Sequence, residues 1–126
     1  GIKQDVFYAD FNWDIILDLI QNTKIKYSEV SKFPSVKRDL SLLIDNKVSF
    51  KELLTIAKDT EKNILKSVSL FDVYEGDKLP EGKKSYALSF ILEDKTKTLT
   101  DKYIDKVMSK LISSYENKVG AEVRSK

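Results

Sequence analysis

From Val36 to Arg124 the spacing of apolar residues changes period in a fixed order. It alternates, then repeats every 3.6 residues or so, alternates twice more, returns to the helical period and closes on a short alternating stretch. That succession predicts strand, helix, strand, strand, helix, strand, an α+β domain. Two crossover units of this kind close into one antiparallel sheet with both helices on one face. The opposite face is left open, and an open face is a surface for a partner.

The first strand is predicted over Val36–Ile44. Arg38, Leu40, Leu42 and Ile44 share one face, while Lys37, Asp39, Ser41 and Leu43 share the other. Ser49 opens a helix, with Glu52 three residues on as in a capping box. Phe50, Leu53, Leu54 and Ala57 make its apolar stripe. A second strand spans Leu65–Tyr74, and the loop Glu75–Gly82 joins it to a third over Lys84–Leu92. Along the third strand Tyr86, Leu88, Phe90 and Leu92 face one way, and Ser85, Ala87, Ser89 and Ile91 the other. Thr100 is the predicted cap of the second helix, whose stripe runs Ile104, Val107, Met108, Leu111, Ile112, Tyr115. Gly120 suits a left-handed stop, and Ala121–Arg124 reads as the last strand. The predicted core joins both stripes to Leu40, Leu42, Leu88 and Phe90.

Residues 1–31 read as a leader and linker carried over from a preceding domain, and 32–126 as the domain proper. In the leader, Val6–Phe11 reads as a short strand, and Asp14 as the cap of a brief helix bearing Ile15, Ile16, Leu19 and Ile20. Those apolar residues are too few to form a core alone and are expected to pack on another surface. Residues 21–32, with Gln21, Asn22, Thr23, Lys24, Ser28 and Ser31, read as polar linker. The chain opens Gly1-Ile2-Lys3 without Met and reads as a piece of a longer protein.

Composition removes several functions. The chain has no Cys and no His, which excludes thiolate and imidazole metal sites, Cys nucleophiles and the usual hydrolase triad. No catalytic and no metal-binding residue is assigned. No apolar run reaches the roughly 18 residues of a membrane span, and no signal peptide is visible. Net charge is only +2, too little to argue for a polyanion from bulk electrostatics. The balance is uneven: residues 1–32 carry four basic and five acidic side chains, residues 33–126 eighteen and fifteen.

Phe33-Pro34-Ser35-Val36-Lys37-Arg38-Asp39-Leu40-Ser41 resembles the first strand of the ferredoxin-fold anticodon-binding domain that closes the beta subunit of bacterial phenylalanyl-tRNA synthetases. Phe71-Asp72-Val73-Tyr74 with Gly76, then Gly82–Leu88, Thr98–Asp101 and Gly120-Ala121 with Arg124 resemble its later segments, in order, over about residues 32–125. Val6–Leu19 is similar to the segment joining that domain to the catalytic-like part of the subunit. The resemblance implies a ferredoxin-like βαββαβ fold and a module that binds the anticodon stem-loop of tRNA-Phe. It implies no chemistry and no cofactor in this piece. ATP and Mg²⁺ belong to the parent ligase, an alpha-two beta-two cytoplasmic assembly in which the alpha subunit and the rest of the beta subunit are partners.

Unpaired bases are read by stacking and by hydrogen bonds to their edges, and the stem is held through phosphates by Lys and Arg. On that basis the RNA-binding candidates are Lys37, Arg38, Asp39, Tyr74, Lys83, Lys84, Ser85, Ser89 and Arg124. Arg38 either meets phosphate or base, or closes an ion pair with a carboxylate such as Asp72. Arg124 either joins Arg38 on one surface or closes an ion pair of its own. Lys83 and Lys84 are expected in a hairpin that follows a phosphate backbone. Phe71 reads as core, with a base-stacking platform as its other role, and Thr98, Thr100 and Asp101 read as helix caps. Two other functions use this architecture. An acyl-phosphate hydrolase needs a glycine-rich phosphate loop, and residues 34–39 contain no glycine. A small-molecule-binding regulatory domain stays open as the alternative, because fold alone does not decide function.

Overall fold

The computed structural model of the chain describes residues 1–21, 23–27 and 29–124; Asn22 and Ser28 of the predicted linker lie outside them. The chain divides into two units, Gly1–Val30 and Ser31–Lys126.

In the first unit one element forms, helix α1 over Trp13–Ile20. Its cap is Asn12, whose side chain accepts from the Ile15 amide at 3.1 Å, and the predicted cap Asp14 sits inside the first turn instead. Asn12 has the extended backbone that a capping residue needs, whereas Asp14 is already helical and adds a favourable charge near the positive helix end. Val6–Phe11 is not a strand. A strand is defined by its ladder, and no other strand exists among the described residues of this unit to supply one. Phe7, Tyr8, Trp13 and Leu19 are exposed, and no residue of α1 is buried.

In the second unit the elements follow the predicted order: β1 (Val36–Asp45), α2 (Phe50–Thr60), β2 (Leu65–Tyr74), β3 (Lys83–Leu92), α3 (Asp101–Val119) and β4 (Glu122–Val123). The sheet is antiparallel with order β2-β3-β1-β4, the ferredoxin-like α+β arrangement. Helix α2 starts where Ser49 accepts from the Glu52 amide at 3.2 Å. Thr100 occupies the cap position of α3, but its hydroxyl makes no capping bond. Gly120 takes φ 61°, left-handed, and ends α3 with its N–H turned back on Glu116. β4 is only two residues long.

The core lies between the sheet and the two helices. Leu40, Leu42, Leu88 and Phe90 meet Leu53, Ile56 and Ala57 of α2 and Ile104, Val107, Leu111 and Tyr115 of α3. Ile56 joins the predicted α2 stripe, and Leu54 is only half-buried. Phe90 and Tyr115 stack tilted, with centroids 6.4 Å apart. The Tyr115 hydroxyl donates to the Leu53 carbonyl, so the only polar atom of its side chain finds a partner without leaving the core. Burying each such side chain contributes roughly 1.5–3 kcal/mol. Among the described residues, no helix is long and apolar enough to cross a membrane and no acidic group could hold a metal ion.

Candidate functional site

Strand alternation decides which side chains reach the open face. Opposite the core-facing set, β1 presents Lys37, Asp39, Ser41, Leu43 and Asp45, and their partners on β3 are Ile91, Ser89, Ala87, Ser85 and Lys83. On β2, Ser67 and Ser69 stand opposite Ile91 and Ser89, and Asp72 and Tyr74 opposite Ala87 and Ser85. The central strand is lined with small residues, which keeps the middle of the face shallow. Arg124 follows β4, and its amide donates to the Ser41 carbonyl at 2.9 Å, so the side chain stands beside Ser41.

The alternation slips twice on β2, first at Lys66 and again after Leu70. Leu70 pairs with Leu88 and Asp72 with Ala87, which leaves Phe71 without a partner. This is a β-bulge, and it places Phe71 and Asp72 together on the rim of one hollow. Asp39, Leu40, Ser41, Ala87 and Arg124 complete the hollow, with a volume of about 570 Å³. Phe71 is 58% exposed. The expectation that it belongs to the core is therefore corrected: Leu70 faces the core, so Phe71 beside it faces out, and the bulge brings Asp72 to the same side. Phe71, read as core or as a stacking platform, and Asp72, read only as a partner for Arg38, are the residues of this face outside the RNA-binding candidates. The signal for them is a change of spacing: Val68, Leu70 and Val73 are the inward positions, and the last step is three residues instead of two.

Lys37 and Asp39 lie 3.5 Å apart, exposed, and the Lys37 ammonium stands 5.7 Å from the centroid of the Phe71 ring. Tyr74, at the far end of β2, lays its ring on the following turn. A β-carbon on Gly76 would come within 2.8 Å of the Tyr74 hydroxyl, so the absence of a side chain there permits this pose. Ser85 is buried and shares a hydrogen bond with Ser41 at 3.3 Å between hydroxyl oxygens. Ser89, also buried, has no partner for its hydroxyl. Lys83 is half-buried at the hairpin end, opposite Asp45.

Two predicted residues do not join this face. Arg38 pairs in register with Phe90 on the helical side, and its guanidinium lies 3.3 Å from Asp101 in the first turn of α3. Of its two predicted roles the structure realises the ion pair, with Asp101 in place of Asp72, and Arg38 and Arg124 occupy opposite faces. Lys84 is only 7% exposed. Its ammonium donates to the Asn46 carbonyl at 2.8 Å and lies 4.6 Å from the Tyr86 centroid. It is a strand residue clamping the turn after β1, not a solvated loop residue. The pairing Ile44 to Lys84 turns it away from the open face.

Charge on the open face is mixed. Lys37, Lys83 and Arg124 share it with Asp39, Asp45, Asp72 and Glu122. Its distinguishing character is flat aromatic surface set beside hydroxyls, carboxylates and a few cations.

Residues 31–124 match the protein family described as the ferredoxin-fold anticodon binding domain. Proteins from Bacteroides fragilis and Bacteroides thetaiotaomicron are each 56% identical to this chain over 123 residues, and one from Porphyromonas gingivalis is 46% identical over 123. All three are described as the beta subunit of phenylalanine–tRNA ligase. Each match takes in 98% of this chain but 15% of the relative, so the chain spans about a seventh of the length of the curated proteins it resembles.

Proposed function

The chain belongs to the ferredoxin-fold anticodon binding domain family, and from that premise we propose that the open face of its sheet binds the anticodon stem-loop of tRNA-Phe. One observation carries the reading: the face away from the helices offers two exposed aromatic rings, Phe71 and Tyr74, over a floor of Ser and Ala. Unpaired bases bind on such a surface by stacking, with hydrogen bonds to their edges giving selectivity. Asp39 and Asp72 can accept from base amino groups. Arg124, Lys37 and Lys83 stand where phosphates of the loop would pass. Because cations and carboxylates are interleaved, affinity comes from contacts and only secondarily from long-range attraction.

In this reading the piece supplies recognition and leaves chemistry to its parent, a ligase working in the cytoplasm that joins phenylalanine to tRNA using ATP and Mg²⁺ bound elsewhere. The alpha subunit and the remainder of the beta subunit, in an alpha-two beta-two assembly, are its partners. Chemical-shift mapping of the chain with a tRNA-Phe anticodon stem-loop tests the reading. Perturbations should gather on Lys37, Ser69, Asp72, Tyr74, Ser89 and Arg124. Perturbations confined to α2 and α3 would overturn it.

A further inference from the structure

We propose that Phe71 is a stacking platform for a second unpaired base, separate from Tyr74, and that Lys37 covers its ring until that base arrives. The inference rests on the stem-loop reading and adds how many bases are held and in what arrangement.

The bulge supplies the first argument. Without it, strict alternation from Leu70 would give Asp72 to the core and Phe71 alone to the surface. With it, a ring and a carboxylate stand side by side at the hollow. A ring 58% exposed at a bulge is poorly used as packing, whereas bulges re-aim side chains next to functional sites.

The second argument is the contact that Phe71 already makes. The Lys37 ammonium lies 5.7 Å from its centroid and also 3.5 Å from the Asp39 carboxylate. A cation over an exposed aromatic ring is held weakly, and a stacked base is held more strongly. Exchange therefore runs toward the base. The displaced ammonium keeps its positive charge and is close enough to meet the phosphate that accompanies the base, so the exchange loses one weak contact and gains two.

The third argument is spacing. Phe71 and Tyr74 are three residues apart on one strand, a rise of about 7–10 Å with the bulge between them. Successive stacked bases are separated by about 3.4 Å. Two neighbouring bases cannot stay stacked on each other while resting on both rings, so the loop binds with its bases splayed.

The test combines intermolecular NOEs from selectively labelled Phe, on the stem-loop complex, with titrations of Phe71→Leu and Lys37→Gln. Leucine keeps apolar bulk at the bulge but removes the π face. The expected results are NOEs from the Phe71 ring to one base and from Tyr74 to another, with affinity about tenfold weaker in Phe71→Leu. Lys37→Gln should keep the Phe71 NOE and lower the slope of log affinity against log salt by about one. If the wild-type chain binds the stem-loop with no NOE at Phe71, or if Phe71→Leu binds as well as wild type, the second platform is overturned while the stem-loop reading stands. If the wild-type chain does not bind at all, the stem-loop reading itself fails.

Discussion

Arg38 Nη2 lies 3.3 Å from Asp101 Oδ1, joining the start of β1 to the first turn of α3 on the face away from the proposed RNA site. Arg38→Ala should therefore leave stem-loop affinity close to wild type. Its effect belongs to stability, where an exposed pair of this kind contributes about 0.2–1 kcal/mol. Arg124→Ala should do the reverse, weakening binding and reducing the salt slope by about one. Parallel titrations at several salt concentrations check both. Equal loss from the two variants would show that the helical side takes part.

Gly76→Ala should dislodge the Tyr74 ring, since the new methyl would lie 2.8 Å from its hydroxyl. Gly76 does not have a positive φ, so alanine fits its backbone and thermal stability should be kept or slightly raised. The ring is at the end of a flexible side chain and can swing aside. RNA affinity should then fall by part of the roughly 1–3 kcal/mol that base–aromatic stacking contributes. Tyr74 ring shifts and a melting curve measure the two effects separately.

Ser89 and Ser85 offer a paired comparison. The Ser89 hydroxyl is buried without a partner, and such a group costs about 1–3 kcal/mol. Ser89→Ala should thus not destabilise the chain and should raise its melting temperature. Ser85→Ala breaks the bond to Ser41 and should lose about 0.5–1.5 kcal/mol. Denaturant melts of both variants decide this.

Burial pushes the Tyr115 phenol well above its usual range. The folded state therefore keeps a proton that the unfolded chain loses above about pH 10. The contribution is fully present below that pH and declines as pH rises further, with a slope of about 1.4 kcal/mol per pH unit. Tyr115→Phe should remove this part of the alkaline decline, at the cost of the bond to Leu53. Unfolding curves between pH 9 and 11 for both chains separate the phenol's contribution from lysine deprotonation.

Much of this was legible in the chain. The order of periods carried the topology, because each element's apolar spacing is dictated by its own geometry. Alternation even placed Arg38 with Leu40, and so on the helical side. Its grouping with Arg124 rested on the shared charge of two residues that the sheet separates. Phe71 was read as core from its residue type, although it follows the inward Leu70; the extra residue that brings Asp72 out beside it shows only in the three-residue step from Leu70 to Val73. Lys84 was placed at the start of the third strand yet grouped with Lys83 as a hairpin cation because Lys, Gly and Pro cluster there; the pairing with Ile44 turns its side chain inward. The strand expected at Val6–Phe11 needs a ladder that no local pattern can supply.

The wet aromatic and aliphatic groups of residues 1–30 make the chain amphiphilic. Phe7, Tyr8, Trp13 and Leu19 are each exposed, apolar groups of the kind that concentrated protein solutions hide by self-association. A shortened chain starting at Ser31 should sediment as one species at concentrations where the longer one forms aggregates, and it is the better-behaved material for crystals and titrations.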